Sequence, residues 1–147
     1  MDVDERYRRG RELILEVWGP EYGAEILRRQ AELQPDLERQ IVEFMYGHLW
    51  TRPSPPAPDR KTRSLVAIGI LCALNRAHQL RVHLVGALNN GATETEIEEI
   101  ILQAGLLAGF PSSWDGMIQA HKVFEEYRAG AFHRGDAAQA TAPSFED

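Results

Sequence analysis

An all-α protein is predicted from three observations. Apolar residues recur at helical spacing in nearly every segment, and no stretch alternates apolar and polar residues as a strand would. The segments are also punctuated by helix-ending and helix-starting signals: Gly19-Pro20, Asn90-Gly91, Thr93-x-x-Glu96 and Gly109-Phe110-Pro111.

The first predicted helix, Asp4 to Trp18, carries Tyr7, Leu13, Ile14 and Val17 on one side, and Gly19-Pro20 ends it. Glu21 to Gln30 forms a second. Pro35 to Leu49 forms a third, with Leu37, Ile41, Phe44 and Met45 at helical spacing. Between Arg52 and Asp59, four of the eight prolines fall within six residues, which predicts an extended, stiff connection, either a plain connector or a loop covering a site. The next helix, Lys61 to Leu74, is apolar nearly all round after its polar first turn, the pattern of a helix enclosed by protein on every side. A chain of 147 residues rarely needs such a helix as a monomer, so self-association is expected.

A break follows at Asn75-Arg76. Arg76, Gln79, His83 and Ala87 then share one helical face, and Gln79 and His83 lie one turn apart. Asn90-Gly91 suits a left-handed C-terminal cap, and Thr93 with Glu96 makes a capping box for the helix bearing Ile97, Ile100, Ile101, Ala104, Gly105 and Ala108. Pro111 suits the first turn of a last helix. After about Ala129 the composition turns to Gly, Ala, Thr, Ser and Asp. One domain over residues 1–131 is therefore expected, of about six to seven helices, followed by a disordered tail over residues 132–147.

The formal charge of −6 and the absence of a basic stripe argue against nucleic acid or an anionic membrane as partner. Arg6, Arg8, Arg9 and Arg11 are interleaved with acids and form a solvated face. Cys72 is the single cysteine, so no internal disulfide can form, and its apolar neighbours predict a buried, inert thiol. No basic-then-apolar leader opens the chain. The longest apolar run, Leu65 to Leu74, falls far short of the ~20 residues of a membrane span. A cytoplasmic protein is expected.

Trp50-Thr51-Arg52-Pro53, Thr62-Arg63-Ser64-Leu65, Leu80-x-x-His83-Leu84, Asn90-Gly91-Ala92-Thr93, Leu102-Gln103 and Ala108-Gly109-Phe110-Pro111 together resemble the carboxymuconolactone decarboxylase family. Arg6-Tyr7-Arg8-Arg9-Gly10, Val17-Trp18-Gly19 and Gly47-His48-Leu49-Trp50 resemble its γ-carboxymuconolactone decarboxylase branch. The resemblance spans residues 5–128. It implies an alkylhydroperoxidase D-like helical fold, a trimer or hexamer, and cofactor-free decarboxylation of a small carboxylated lactone in aromatic-ring catabolism by the β-ketoadipate pathway.

The redox branch of that superfamily carries a C-x-x-C pair before the histidine. Arg76 and Gln79 occupy those positions here, so thiol peroxidase chemistry is excluded.

Loss of carbon dioxide from such a lactone needs no cofactor or metal, because the conjugated carbonyl accepts the electrons. It needs a cation for the carboxylates, a dry cavity and a proton donor for the dienolate. His83 fits the donor role by its unperturbed pKa, with Gln79 beside it; Arg76, Arg63 and Arg52 are candidate carboxylate ligands. His48, Trp50 and Trp114 are further candidates for the substrate site, each with a structural alternative in helix capping or packing. His78 is expected at the surface and His121 in packing.

Three features depart from the family pattern: Gln79 stands where glutamate is usual, Leu107 where an aromatic is frequent, and Ser112-Ser113-Trp114-Asp115 in place of an alanine-rich helix start. They keep two other classes open, a related cofactor-free isomerase, cyclase or hydrolase on another small acid, and a non-catalytic ligand-binding helical oligomer.

Overall fold

The structure is a computed structural model that describes residues 2–132. Its elements are α1 (Val3–Trp18), α2 (Pro20–Leu33), α3 (Pro35–Gln40), a π-helical segment (Ile41–Trp50), α4 (Arg60–Ala73), α5 (Ala77–Asn89), α6 (Glu94–Ala108) and α7 (Phe110–Arg128). No strand occurs among the described residues. They form two compact units, one ending at Asp59 and the other beginning at Arg60. No helix among them is long and apolar enough to cross a membrane.

In the first unit, Asp2 caps α1 by accepting from the Asp4 amide at 2.7 Å, and Gly19, at φ 84°, turns the chain into Pro20 at the start of α2. Leu13, Ile14, Val17 and Trp18 of α1 are buried. The third predicted helix is regular only to Gln40, where wider π turns begin. With i→i+5 bonding the buried stripe becomes Val42, Tyr46 and Trp50, while Leu37 and Phe44, expected inside, are more than half exposed.

Two acids, Glu38 on α3 and Glu43 in the π segment, are also buried. Glu38 accepts the Tyr7 hydroxyl at 3.0 Å on both oxygens, and Glu43 pairs with Arg6 at 3.2 Å. Buried carboxylates persist only where such partners compensate their desolvation. The resulting clamp joins α1 to α3 and to the start of the π segment.

The proline-rich loop is not extended. It turns at Pro53–Ala57, where the Ala57 amide donates to the Pro53 carbonyl at 3.2 Å.

The second unit packs α4 against α5, α6 and α7. Asn75, at φ 54°, makes the break after α4 as a single left-handed residue, which Asn tolerates well. Thr93 and Glu96 form both bonds of the capping box. Ser113 lies against Gly105, and its hydroxyl donates to the Ile101 carbonyl at 3.0 Å. Ser113, one of the residues that depart from the alanine-rich pattern, therefore joins α6 to α7.

In the single chain the helix expected over Lys61 to Leu74 is not enclosed on every side. Only Ser64, Ile68 and Cys72 of α4 are buried, and Val66 and Ile70 remain more than half exposed. At the other boundary, Phe132 belongs to the folded unit rather than to the tail. It is buried, with the Arg81 guanidinium 5.8 Å from its ring centroid. The rest of the expected tail, residues 133–147, lies outside the described residues.

Candidate active site

Helix α5 carries the central candidates and changes environment along its length. Arg76 is its N-cap and Gln79 lies in its first turn, both exposed; from Val82 to Ala87 every residue is buried. His83 therefore sits where the helix enters the core, 5 % exposed. Burial pushes its imidazole down to about 4, because a low-dielectric surrounding disfavours the charged form. At neutral pH the ring is neutral in the free protein. The expectation of an unperturbed pKa for His83 is corrected accordingly.

Two polar contacts fix the opposite side of α5 to α7. Tyr127 donates to Asn89 Oδ1 at 2.9 Å, and Arg81 pairs with Glu126. By helical rotation, His83 points about 160° from Arg81, away from that clamp.

Arg63, on α4, is half-buried and has no ion-pair partner among the described residues. Arg52 and His48 are exposed in the first unit. Trp50 is a core residue of that unit. Its ring centroid lies 5.5 Å from that of Tyr46 and 6.3 Å from that of Trp18, so packing accounts for it. Trp114 is 73 % exposed and lies past the first turn of α7, beyond the free amides of the helix start. His78 is exposed as expected. His121 is not packed inside: it is exposed, pairs with Glu98 at 2.9 Å and leans on Phe124.

Arg76 faces a cleft of about 60 Å³ between the end of α4, the start of α5 and α7, lined also by Cys72, Asn75, Leu80, Asp115 and Gln119. Neither Gln79 nor His83 lines it. Sequence reasoning missed Asp115 and Gln119 as a pair; their i,i+4 spacing on α7 is the signal that groups them. Cys72 forms the floor, 1 % exposed. Its thiol donates to the Ser112 carbonyl at 3.3 Å, and burial, with Asp115 nearby, holds it protonated. This is an inert thiol.

Residues 35–122 match the carboxymuconolactone decarboxylase family. A 4-carboxymuconolactone decarboxylase of Acinetobacter baylyi is 39 % identical over 126 residues, covering 86 % of this chain and 92 % of that protein. This chain belongs to the carboxymuconolactone decarboxylase family. Another similar protein is the nitrosuccinic acid decarboxylase npaB of Metarhizium robertsii, 35 % identical over 127 residues, 84 % of this chain and 87 % of that one. An uncharacterized 15.0 kDa protein of Paracoccus denitrificans is 30 % identical over 102 residues, 68 % of this chain and 74 % of that protein. Among carboxymuconolactone decarboxylase relatives, then, two named enzymes differ in the acid they act on but share the loss of a carboxylate.

Proposed function

We propose that the protein is a cofactor-independent decarboxylase of a small carboxylated lactone, with His83 managing the proton. The observation that carries this reading is the similarity to a named 4-carboxymuconolactone decarboxylase over most of both chains. The buried imidazole on α5 supports it.

In this mechanism Arg63 holds a substrate carboxylate in the bidentate geometry of its guanidinium. As carbon dioxide leaves, the electron pair passes into the conjugated carbonyl and forms a dienolate. The negative charge that the substrate brings next to His83 favours the imidazolium, so the ring gains its proton on binding and gives it to the dienolate carbon. No metal or organic cofactor takes part. The corresponding setting is aromatic-ring catabolism in the cytoplasm by the β-ketoadipate pathway.

A trimer or hexamer belongs to the same reading. Val66 and Ile70 on α4, Leu102 and Leu106 on α6, and Phe110 and Trp114 on α7 are all at least half exposed, far more large apolar surface than a monomer usually shows. Sedimentation velocity at micromolar concentration should give a trimer or hexamer. A monomer would contradict it.

A second reading is favoured by the nitrosuccinic acid decarboxylase relative and by Gln79, which cannot exchange a proton as glutamate can. It assigns a biosynthetic small acid as substrate. Assays of wild type and Gln79→Glu on 4-carboxymuconolactone and nitrosuccinate separate the two. On the lactone reading the wild type turns over the lactone, and Gln79→Glu keeps or raises that rate. Turnover of nitrosuccinate alone, lost in Gln79→Glu, supports the second; inactivity of both forms on both acids contradicts both.

A further inference from the structure

The segments Thr62-Arg63-Ser64-Leu65 and Asn90-Gly91-Ala92-Thr93 meet in the structure through a side-chain contact between residues 26 positions apart. The Asn90 side-chain amide divides its two hydrogens. One goes to the Gly86 carbonyl of α5 at 2.7 Å, the other to the buried Ser64 hydroxyl of α4 at 3.5 Å. Ser64 in turn donates to the Arg60 carbonyl at 2.9 Å, which leaves its oxygen to accept from Asn90. At 3.5 Å the Asn90–Ser64 contact is long for a hydrogen bond and weak in energy; what it supplies is register between two helices.

Asn90 lies seven residues after His83, and two turns of helix return it to within about 20° of the same face. The face of α5 that bears the imidazole therefore meets α4 at the residue next to Arg63. Asn89, one position earlier, turns to α7 instead and accepts from the Tyr127 hydroxyl at 2.9 Å.

We infer that Asn90 is a positioning residue for the decarboxylation. Through Ser64 it fixes the α4 turn that carries Arg63 against the α5 face that carries His83, and so sets where the guanidinium holds the substrate carboxylate relative to the proton donor. The inference rests on the carboxylate role of Arg63 proposed above. A carboxylate held equally before and during the loss of carbon dioxide contributes uniform binding, so loosening its ligand raises KM and leaves kcat unchanged.

Steady-state kinetics of the full chain, on whichever of the two acids the wild type decarboxylates, test it with Arg63→Gln, Ser64→Ala, Asn90→Ala, the Ser64→Ala/Asn90→Ala pair and Asn89→Ala. Asn90 sits at φ −89°, which alanine adopts without strain. Ser64→Ala and Asn90→Ala should each raise KM at least about fivefold with kcat held within about twofold, and the pair should do no more than Asn90→Ala alone, because both remove one contact. Asn89→Ala, which breaks only the bond to Tyr127, should leave KM unchanged even where it lowers the melting temperature. An unchanged KM in Asn90→Ala, a fall in kcat alone, or effects that multiply in the pair would each overturn the inference. An unchanged KM in Arg63→Gln would remove the carboxylate role of Arg63 and this inference with it; a raised KM there without one in Asn90→Ala would overturn this inference alone.

Discussion

Replacing His83 by glutamine should lower turnover by about 10²–10⁴-fold, the usual contribution of a positioned proton donor, while the protein stays folded. Glutamine keeps much of the volume and a hydrogen-bonding group but cannot carry the proton. The same variant reports on stability. Because the folded-state pKa of His83 is lowered from 6.5 to about 4, the unfolded chain binds the extra proton between those values. The His83 contribution to stability is therefore complete above pH 6.5, declines as the pH falls, and is gone below about 4. Urea denaturation from pH 4 to 8 should show this slope in wild type and lose it in His83→Gln. A purely structural histidine would instead lower stability when replaced and leave turnover per folded molecule unchanged.

Gly47→Ala should destabilise the first unit by about 3 kcal/mol or prevent it from folding. A Cβ at Gly47 would stand 1.9 Å from the Arg6 carbonyl oxygen, and one at Gly10 would stand 2.1 Å from the Val42 carbonyl oxygen. Both obstacles are backbone, so α1 and the π segment must separate, disturbing the buried contacts of Ile14, Val17 and Trp18. Overpacking of this kind costs typically 1–3 kcal/mol, occasionally more, which outweighs the ~1 kcal/mol that alanine gains over glycine in a helix. Gly69→Ala is the control. Its Cβ would meet only the Cγ2 methyl of Ile100 at 3.3 Å, a side chain rather than backbone, so stability should stay within about 1 kcal/mol of wild type. Equal denaturation midpoints for Gly47→Ala and Gly69→Ala would contradict the close-approach explanation.

The parts of the fold legible in the sequence are those set by local chemistry. Gly19-Pro20, Asn75, Thr93 with Glu96 and Gly109 mark helix ends through backbone conformation or short-range hydrogen bonds, and the structure places the boundaries there. What the sequence hid depends on partners far along the chain. Glu38 is buried where Tyr7, 31 residues earlier, satisfies it, and the wider turns after Gln40 lie against α1. Trp50 looked like a site residue by its motif and is a core residue by its contacts with Tyr46 and Trp18. On α5 the helical spacing grouped Arg76, Gln79 and His83 on one face, although Arg76 lines a cleft that the other two do not. It could not show that the face passes from solvent into the core between Gln79 and His83, which is what sets the imidazole apart chemically.

The decarboxylase reading is tested most directly by carbon dioxide release from 4-carboxymuconolactone, using purified protein treated with a chelator. The expected result is one carbon dioxide per lactone consumed, an enol-lactone product, and a rate unchanged by the chelator. Lactone that raises the melting temperature without releasing carbon dioxide would contradict this account and leave a binding protein in its place.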